Sequence, residues 1–254
     1  MKNLTLFTMI FLMASVSVAQ KNKGSFGPGE ELVYRIKYGF IDAGEATLKV
    51  AEDDKSFDQE TVYHFESRGK TVGTFNIFYR VRNRYNSYVD QKKLLPILYT
   101  ENIREGDYKR KTFAAFDHKN NSVKTNNGTY EIPENAQDVI SSFYYLRNAY
   151  PNNLVGGEEV TLNFFLGKET NPLSVKYIGK ETITTDLGTF NCLKFSPKLT
   201  PGRIFKKDSQ MFLWVTDDLN RIPLKAEVEI LIGTVYLELT KYEGLVNPLT
   251  SKIQ

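Results

Sequence analysis

The sequence of 254 residues has few of the side chains that build metal and nucleophile sites. It contains one cysteine, Cys192, and two histidines, His64 and His118, at scattered positions. A single cysteine excludes an internal disulfide, and these three side chains cannot supply a clustered zinc site. Neither histidine is accompanied by a Gly-x-Ser-x-Gly motif, so a histidine-based triad is not predicted. We expect no metal site and no cofactor.

Long apolar runs and a strong charge excess are also missing from most of the chain. Beyond residue 20, apolar runs such as Phe164–Leu166 and Ile230–Ile232 have only the length of strands. A membrane-spanning helix needs about 20 apolar residues, so at most peripheral membrane contact is expected. Lys and Arg number 33 against 30 Asp and Glu, a formal net charge of +3. This balance does not indicate a nucleic-acid partner.

The N-terminal segment MKNLTLFTMIFLMASVSVAQ has the pattern of a signal peptide. Lys2 supplies a basic region, residues 4–13 an apolar core, and Ser17 and Ala19 the small residues before a cleavage site. We therefore predict a signal peptide over residues 1–19, cleavage near Ala19, and a periplasmic or secreted product. No cysteine lies at the junction, so a lipid-modified lipoprotein is not expected. Residues 20–254 carry no linker-like segment and predict a single domain.

Apolar and charged residues alternate through most of this domain, which indicates β-strands with one buried face. Leu32, Tyr34 and Ile36 alternate with Arg35 and Lys37, for example. The phase of the alternation changes near Gly233, which predicts a bulge or bend in one long strand. About 11 to 13 strands are expected from these patterns.

One segment has helical spacing instead. Val139, Phe143 and Leu146 recur on one helical face, and Asn135 is interpreted as the N-cap. We predict an α-helix over about residues 136–149. The expected fold is mainly β, a strongly bent antiparallel sheet or unclosed β-barrel that wraps around this one inserted helix.

The stretch FLWVTDDLNRIPLK, residues 212–225, places Asp217 and Asp218 side by side. Paired carboxylates can perform acid/base catalysis, as in glycoside hydrolysis. Asp and Asn are also the residues that turns use, because their side chains bond to nearby backbone groups. A four-residue hairpin turn with Asn220 in the left-handed position is favoured, and the catalytic pair is the weaker alternative.

Basic residues cluster in two regions. Arg80, Arg82 and Arg84 are predicted to share one strand face, and Arg104 and Arg110 flank the next turn. A second group, Arg203 and Lys206, lies in the longest predicted loop. These seven side chains are candidates for binding an anion such as a phosphate or lipid headgroup. The alternative is a charged face that only contacts water.

Four stretches resemble one protein family. They are FGPGEELVYRIKYGFIDAGEATLKV, DVISSFYYLRN, YIGKETITTDLGTFNCLKFSP and FLWVTDDLNRIPLKAEVEILIGTVYLEL. Together they resemble the bacterial domain of unknown function 3108 family, found in Gram-negative envelopes. The resemblance implies an exported, mainly β protein similar in architecture to the half-barrels of periplasmic lipoprotein carriers. It implies no catalytic residues.

The favoured hypothesis is an exported, non-catalytic protein that binds or carries a lipid or another amphipathic envelope component. It depends on the many aromatic residues, 13% of the chain, together with the basic face. Two alternatives remain. One is a hydrolase of an envelope polysaccharide or ester that uses Asp217 or Asp218, and the other is a structural partner of an outer-membrane complex.

Overall fold

The alternating segments form a series of antiparallel strands. The computed structural model describes residues 24–52, 56–57, 60–149, 154–199 and 208–253, so the predicted signal peptide lies outside the described residues. The strands are β1 Glu31–Tyr38, β2 Ile41–Val50, β3 Ser56–Phe57, β4 Glu60–Thr71, β5 Arg82–Asp90, β6 Pro96–Glu105, β7 Tyr108–Asp117, β8 Ser122–Thr125, β9 Gly128–Glu131, β10 Glu159–Leu166, β11 Glu169–Thr185, β12 Gly188–Pro197, β13 Met211–Thr216, β14 Pro223–Glu229 and β15 Thr234–Glu243. The helices are α1 Gly73–Phe78 and α2 Val139–Ala149.

Fourteen strands follow one another in the order β10-β11-β12-β13-β14-β15-β1-β2-β4-β5-β6-β7-β8-β9, and β3 pairs only with β4. The sheet curves until its two edge strands, β9 and β10, come close, with the Tyr130 and Phe165 rings 5.9 Å apart. Gln137 pairs with β10: its N–H donates to the Asn163 carbonyl, and its carbonyl accepts from the Phe165 N–H. The predicted unclosed, mainly β barrel is confirmed.

The predicted long helix is also confirmed, but it starts at Val139 and has a different cap. The Asp138 carboxylate accepts hydrogen bonds from the N–H groups of Ile140 and Ser141 at 2.7 and 2.8 Å. Such bonds satisfy donors that the first helical turn leaves free. Asn135, the predicted N-cap, instead has a positive φ of 59° in the preceding turn.

Two local predictions were wrong. Arg80 was predicted to lie on a strand with Arg82 and Arg84, but the strand β5 starts only at Arg82, and Arg80 lies between it and the short helix α1. The N-cap of α1, Val72, makes no side-chain capping bond, so the sequence carried no helix signal there. Gly233 does not bend one long strand; it has a φ of 82° in the turn between β14 and β15.

The helix α2 fills the middle of the concave side of the sheet. Ile140 and Tyr144 are buried in a cluster with Phe65 of β4, whose ring stacks on Tyr144 with centroids 3.8 Å apart. On the other flank, Leu146 packs against a second cluster formed by β11, β12 and β13. A third cluster contains side chains from β1, from the four strands β12, β13, β14 and β15, and from the C-terminal segment.

A buried ion pair fixes α2 in this position. Both terminal nitrogens of Arg147 donate to the Glu30 carboxylate at 2.6 and 2.8 Å, and both side chains are almost fully buried. Arg147 also donates to the carbonyls of Ser25 and Asn220. One guanidinium thus joins α2 to the segment before β1 and to the turn between β13 and β14.

We predict that Arg147→Met lowers the free energy of unfolding by about 3–5 kcal/mol, because it leaves the Glu30 carboxylate buried without its partner. Urea denaturation measures the change. The matched control is Lys241→Met, which removes an exposed pair with Glu243 and should leave stability nearly unchanged, because exposed ion pairs are solvated and screened. Equal effects of the two substitutions would contradict the structural role of the buried pair.

Candidate functional site

The Asp217–Asp218 pair lies in a turn that forms hydrogen bonds with the C-terminal segment. One oxygen of the Asp218 carboxylate accepts from the Thr216 hydroxyl and the Asn220 N–H. The other accepts from the N–H and hydroxyl of Ser251. Asp217 pairs with Lys180 at 2.6 Å. With both oxygens engaged by fixed donors, Asp218 is held as a structural residue of the turn.

The turn differs in detail from the predicted one. Six residues, 217–222, separate β13 from β14, and the left-handed residue is Arg221, with a φ of 49°. Asn220 is fully buried, and its amide group donates to the carbonyls of Asn247 and Pro248. The prediction placed Asn220 in the left-handed conformation because asparagine tolerates a positive φ. In the structure, its side chain instead forms hydrogen bonds with the C-terminal segment.

Four of the predicted anion-binding residues do come together. Arg82 and Arg84 of β5 lie opposite Lys70 and Arg68 of β4, and opposite residues in an antiparallel pair share a face. Arg80 and Arg104 line the same shallow trough of about 410 Å³. With two lysines of β7, these residues form the outer basic patch on the convex side of the sheet: Arg68, Lys70, Arg80, Arg82, Arg84, Arg104, Lys109 and Lys111.

Arg110 belongs to the opposite face. Successive strand residues point to alternate sides, so Lys109 and Lys111 join the outer patch while Arg110 points inward. Its guanidinium pairs with the Glu101 carboxylate at 2.6 Å. Arg203 and Lys206 lie outside the described residues. Arg110 was predicted to group with the other cations because it lies close to them in the chain. Closeness in the chain does not show which face of the sheet a side chain occupies.

The concave side retains a groove that α2 does not fill. This inner groove has a volume of about 610 Å³ and lies between β4–β7, the start of α2 and the end of β10. Aromatic and aliphatic side chains share its lining with a few polar groups. The residues are Ser67, Tyr85, Tyr99, Glu101, Ile103, Glu105, Tyr108, Arg110, Val139, Ile140 and Leu166.

A polar network crosses the floor of the inner groove. Glu101 is only 8% exposed, and it accepts from Arg110 and, at 3.2 Å, from the Tyr99 hydroxyl. Burial, and then the Glu101 and Asp138 carboxylates, raise the pKa of Tyr99, so this phenol stays protonated as a donor. About half of the Arg110 side chain remains exposed to the groove. An anionic group could therefore reach a guanidinium beside aromatic walls.

Asp138 lies behind the groove wall. Its second oxygen accepts from the Ser87 hydroxyl at 2.5 Å. Burial raises the pKa of Asp138 to about 6, although hydrogen bonds from Ser87, Ser141 and Ile140 oppose the shift. Among the described residues, no cluster of three or more His, Cys, Asp or Glu side chains could hold a metal ion.

Sequence reasoning missed most of the inner groove. Tyr85, Tyr99, Glu101 and Leu166 were not among the predicted site residues. These residues come from strands distant in the chain. Only the strand order and the curvature of the sheet bring Leu166 of β10 near Tyr99 of β6. The available signal was a pair of acidic residues, Glu101 and Glu105, that alternate with Tyr99 and Ile103 on one face of β6.

A family model described as "Protein of unknown function (DUF3108)" matches residues 33–240 of the chain. No curated protein matches this chain. A solved β-barrel-like protein of the domain of unknown function DUF1849 from Brucella abortus is similar in fold, with a TM-score of 0.58 and 9% identity over 87% of this chain and 99% of that one. The hypothetical protein CT021 from Chlamydia trachomatis aligns with a TM-score of 0.41 and 8% identity over 90% of this chain and 92% of that one. The similarity to the Brucella abortus protein supports the unclosed barrel fold and nothing about function.

Asp138 should make stability depend on pH. Its pKa is about 6 in the folded protein against an ordinary value of 3.8, so the folded state binds the extra proton between these values. The free energy of unfolding therefore falls as pH rises from about 4 to 6 and then levels off. Asp138→Asn should abolish this pH-dependent decrease of about 3 kcal/mol in the free energy of unfolding, because the amide does not titrate. The amide oxygen can still accept the capping hydrogen bonds at the start of α2. Urea denaturation at several pH values measures the difference.

A second substitution sharpens the same test. Ser87→Ala removes a hydroxyl that stabilises the ionised Asp138 carboxylate, so the fall in stability should extend to higher pH. Stability curves of the wild type and Asp138→Asn that stay parallel from pH 4 to 7 would contradict the assignment.

Proposed function

The chain belongs to the family described as "Protein of unknown function (DUF3108)", and we propose its function from the geometry of the inner groove. The protein is an exported, non-catalytic binding or carrier protein for a lipid or another amphipathic component of the cell envelope. The observation that carries this proposal is an open groove of about 610 Å³ in which aromatic walls meet one half-exposed guanidinium. Ligand sites typically combine a mostly apolar lining with a few placed polar groups.

The lining favours an amphipathic ligand with an acidic end. Tyr85, Ile103 and Ile140 offer apolar surface to a hydrocarbon portion. Arg110 has donors to spare for a carboxylate or phosphate, since a guanidinium carries five N–H groups and Glu101 engages only part of them. Charge-assisted bonds of this kind fix orientation and contribute more than neutral ones.

The position of α2 limits the size of the ligand. Tyr144 and Ile140 occupy the centre of the concave side, so the ligand would lie beside the helix and not within a hollow barrel. On the other side of α2, the apolar pocket between Phe143, Leu146 and Phe195 has a volume of only about 60 Å³. The proposal is therefore restricted to the groove between β4–β7 and the end of β10.

Binding is favoured over hydrolysis by the state of the carboxylates. Asp218 is saturated by donors of its own turn, and Asp217 pairs with Lys180. Nothing in this arrangement holds a general acid opposite a base across a substrate-sized space. Glu101 in the groove is likewise paired with Arg110 and Tyr99.

An extracytoplasmic location completes the proposal. It is supported by the leader-like segment over residues 1–19 and its small residues before the expected cleavage site near Ala19. In the part of the chain that the structure describes, no helix is long and apolar enough to cross a membrane.

The test is binding of a fluorescent long-chain fatty acid to the purified protein, with native mass spectrometry of lipid that copurifies from the periplasm. Arg110→Gln should weaken binding about tenfold or more, because a charge-assisted hydrogen bond is lost. Leu166→Gln should weaken it several-fold by placing an amide in the groove wall. Leu219→Gln is the matched control, since Leu166 and Leu219 are 50% and 51% exposed and only Leu166 lines the groove.

The proposal fails if the wild type shows neither copurified lipid nor uptake of the probe. It also fails if Leu166→Gln and Leu219→Gln bind the probe equally and Arg110→Gln has no effect. Copurification of an envelope protein without any lipid would favour the structural-partner alternative.

A further inference from the structure

Exposed apolar side chains are concentrated at one end of the sheet. In an antiparallel sheet of this order, the turns β1–β2, β4–β5 and β14–β15 all lie at the same end. Their tips carry Phe40, Ile41, Ile77, Phe78, Leu231 and Ile232, which we call the apolar rim. Phe40 is fully exposed, Phe78 is 83% exposed and Ile77 is 81% exposed. Single exposed apolar residues are ordinary, but six on three adjacent tips are not.

The rim is one continuous edge. The Tyr38 hydroxyl donates to the Ile232 carbonyl at 2.8 Å, and the Gly39 N–H donates to the Thr234 carbonyl, which joins the first and last of these turns. Phe75 of α1 packs edge-on against Tyr38, with ring centroids 6.4 Å apart. The three tips are thus held together by the fold and present their apolar side chains in a row.

The next turn extends this edge. Tyr79, which follows α1, packs on Gly106 in the β6–β7 turn, and the Gly106 N–H donates to the Arg80 carbonyl. Tyr79 and Tyr108 are each about half exposed there. Tyrosine is suited to a boundary between water and an apolar medium, because its ring is apolar and its hydroxyl is polar.

The outer basic patch begins directly beside the rim. Within it, Lys70 pairs with Glu45 and Arg68 pairs with Glu66. Its other six members form no ion pair within the described part of the chain: Arg80, Arg82, Arg84, Arg104, Lys109 and Lys111. Elsewhere on the sheet, lysines such as Lys194 and Lys225 are paired with neighbouring acids. These six like charges repel each other, and an anionic surface facing them would relieve the repulsion.

Acidic groups near the rim do not neutralise the patch. Asp42 and Asp107 lie at the turn tips and are exposed. Glu105 accepts from Asn83 and belongs to the inner face. The convex face of β5–β7 beside the rim therefore keeps a positive surplus.

We propose that this end of the sheet docks on the surface of an anionic lipid membrane. The apolar rim enters the boundary between headgroups and acyl chains, Tyr79 and Tyr108 lie at headgroup level, and the outer basic patch faces the phosphates. A lipid surface explains both features at once, since peripheral binding combines buried apolar area with attraction to anionic lipid. A free phosphate would explain the cations alone, and a protein partner would more often meet one flat apolar patch than separate tips.

This inference goes beyond the proposed binding function and does not depend on it. Tyr108 lines the inner groove as well as the rim end, so docking would place the groove opening near the membrane. Loss of fatty-acid binding in Arg110→Gln reports on the groove. Loss of vesicle binding in the rim variants reports on the membrane surface.

Flotation with vesicles tests the proposal. The purified protein is mixed with vesicles of phosphatidylethanolamine and phosphatidylglycerol, or of phosphatidylcholine alone, at low salt. We expect partitioning onto the anionic vesicles only, reduced when the salt is raised to about 0.5 M, where charge interactions are screened. Ile77→Ser with Phe78→Ser should reduce partitioning about tenfold or more, because α1 contributes no buried residue and the fold is kept.

The contribution of the outer basic patch is tested by removing three of its charges. Arg80→Gln, Arg84→Gln and Arg104→Gln together should reduce partitioning on the order of 100-fold, since each cation near an anionic surface contributes about fivefold. The matched triple Lys119→Gln, Lys124→Gln and Lys176→Gln removes the same charge from exposed sites outside the patch and should have a much smaller effect. The double Leu219→Ser and Ile253→Ser, at the other end of the sheet, controls for loss of exposed apolar groups.

A spectroscopic measurement separates insertion from simple attraction. In Phe78→Trp, the new indole should shift its emission to shorter wavelength when anionic vesicles are added, because it leaves water. Leu219→Trp should show no shift. The proposal is overturned if the wild type does not bind anionic vesicles, or if the rim and control variants partition equally. It is also overturned if the rim variants keep vesicle binding and lose capture of an envelope protein, which would make the rim a protein-docking surface.

Discussion

The buried pair of Arg147 and Glu30 is the interaction on which the arrangement of this fold depends. A guanidinium removed from water must find its full complement of acceptors, and it finds them in Glu30, Ser25 and Asn220. These acceptors come from the chain before β1 and from the turn after β13. The helix α2 is therefore fixed against both the N-terminal segment and the late strands, which encloses one side of the curved sheet.

The placement of α2 decides what the concave side can do. Where Tyr144 stacks on Phe65, the interior is filled. At the N-terminal end of the helix, Val139 and Ile140 form one wall of the inner groove, which residues of β4–β7 line on the other side. The same helix thus stabilises the sheet and sets the size of its candidate ligand site.

The pleat of the strands separates two kinds of chemistry on one stretch of chain. Between residues 99 and 111, inward positions give Tyr99, Glu101 and Arg110, while outward positions give Arg104, Lys109 and Lys111. The inner set is paired and partly buried, which suits one small amphipathic molecule. The outer set is exposed and mostly unpaired, which suits an extended anionic surface. The turn end of the sheet lies next to both.

Local patterns in the amino-acid sequence are enough to predict the mainly antiparallel architecture, the single long helix and the family. Period-two alternation and helical spacing are local properties, so they can be read without knowing the fold. Alternation also placed Arg82 and Arg84 correctly on one face. It could not place the short helix α1, because that element has no side-chain cap and contributes no buried residue, so its sequence carries neither a start signal nor an apolar stripe.

The candidate sites, in contrast, depend on contacts between residues that are far apart in the chain. Asp218 could have been a catalytic carboxylate until Ser251, from the far end of the chain, supplied two of its donors. Arg110 could have joined the other cations until the pairing of β6 with β7 turned it inward toward Glu101. The groove and the apolar rim each require strands distant in sequence to become neighbours. Strand order and sheet curvature are set by the packing of the whole chain, and no local pattern of residues encodes them.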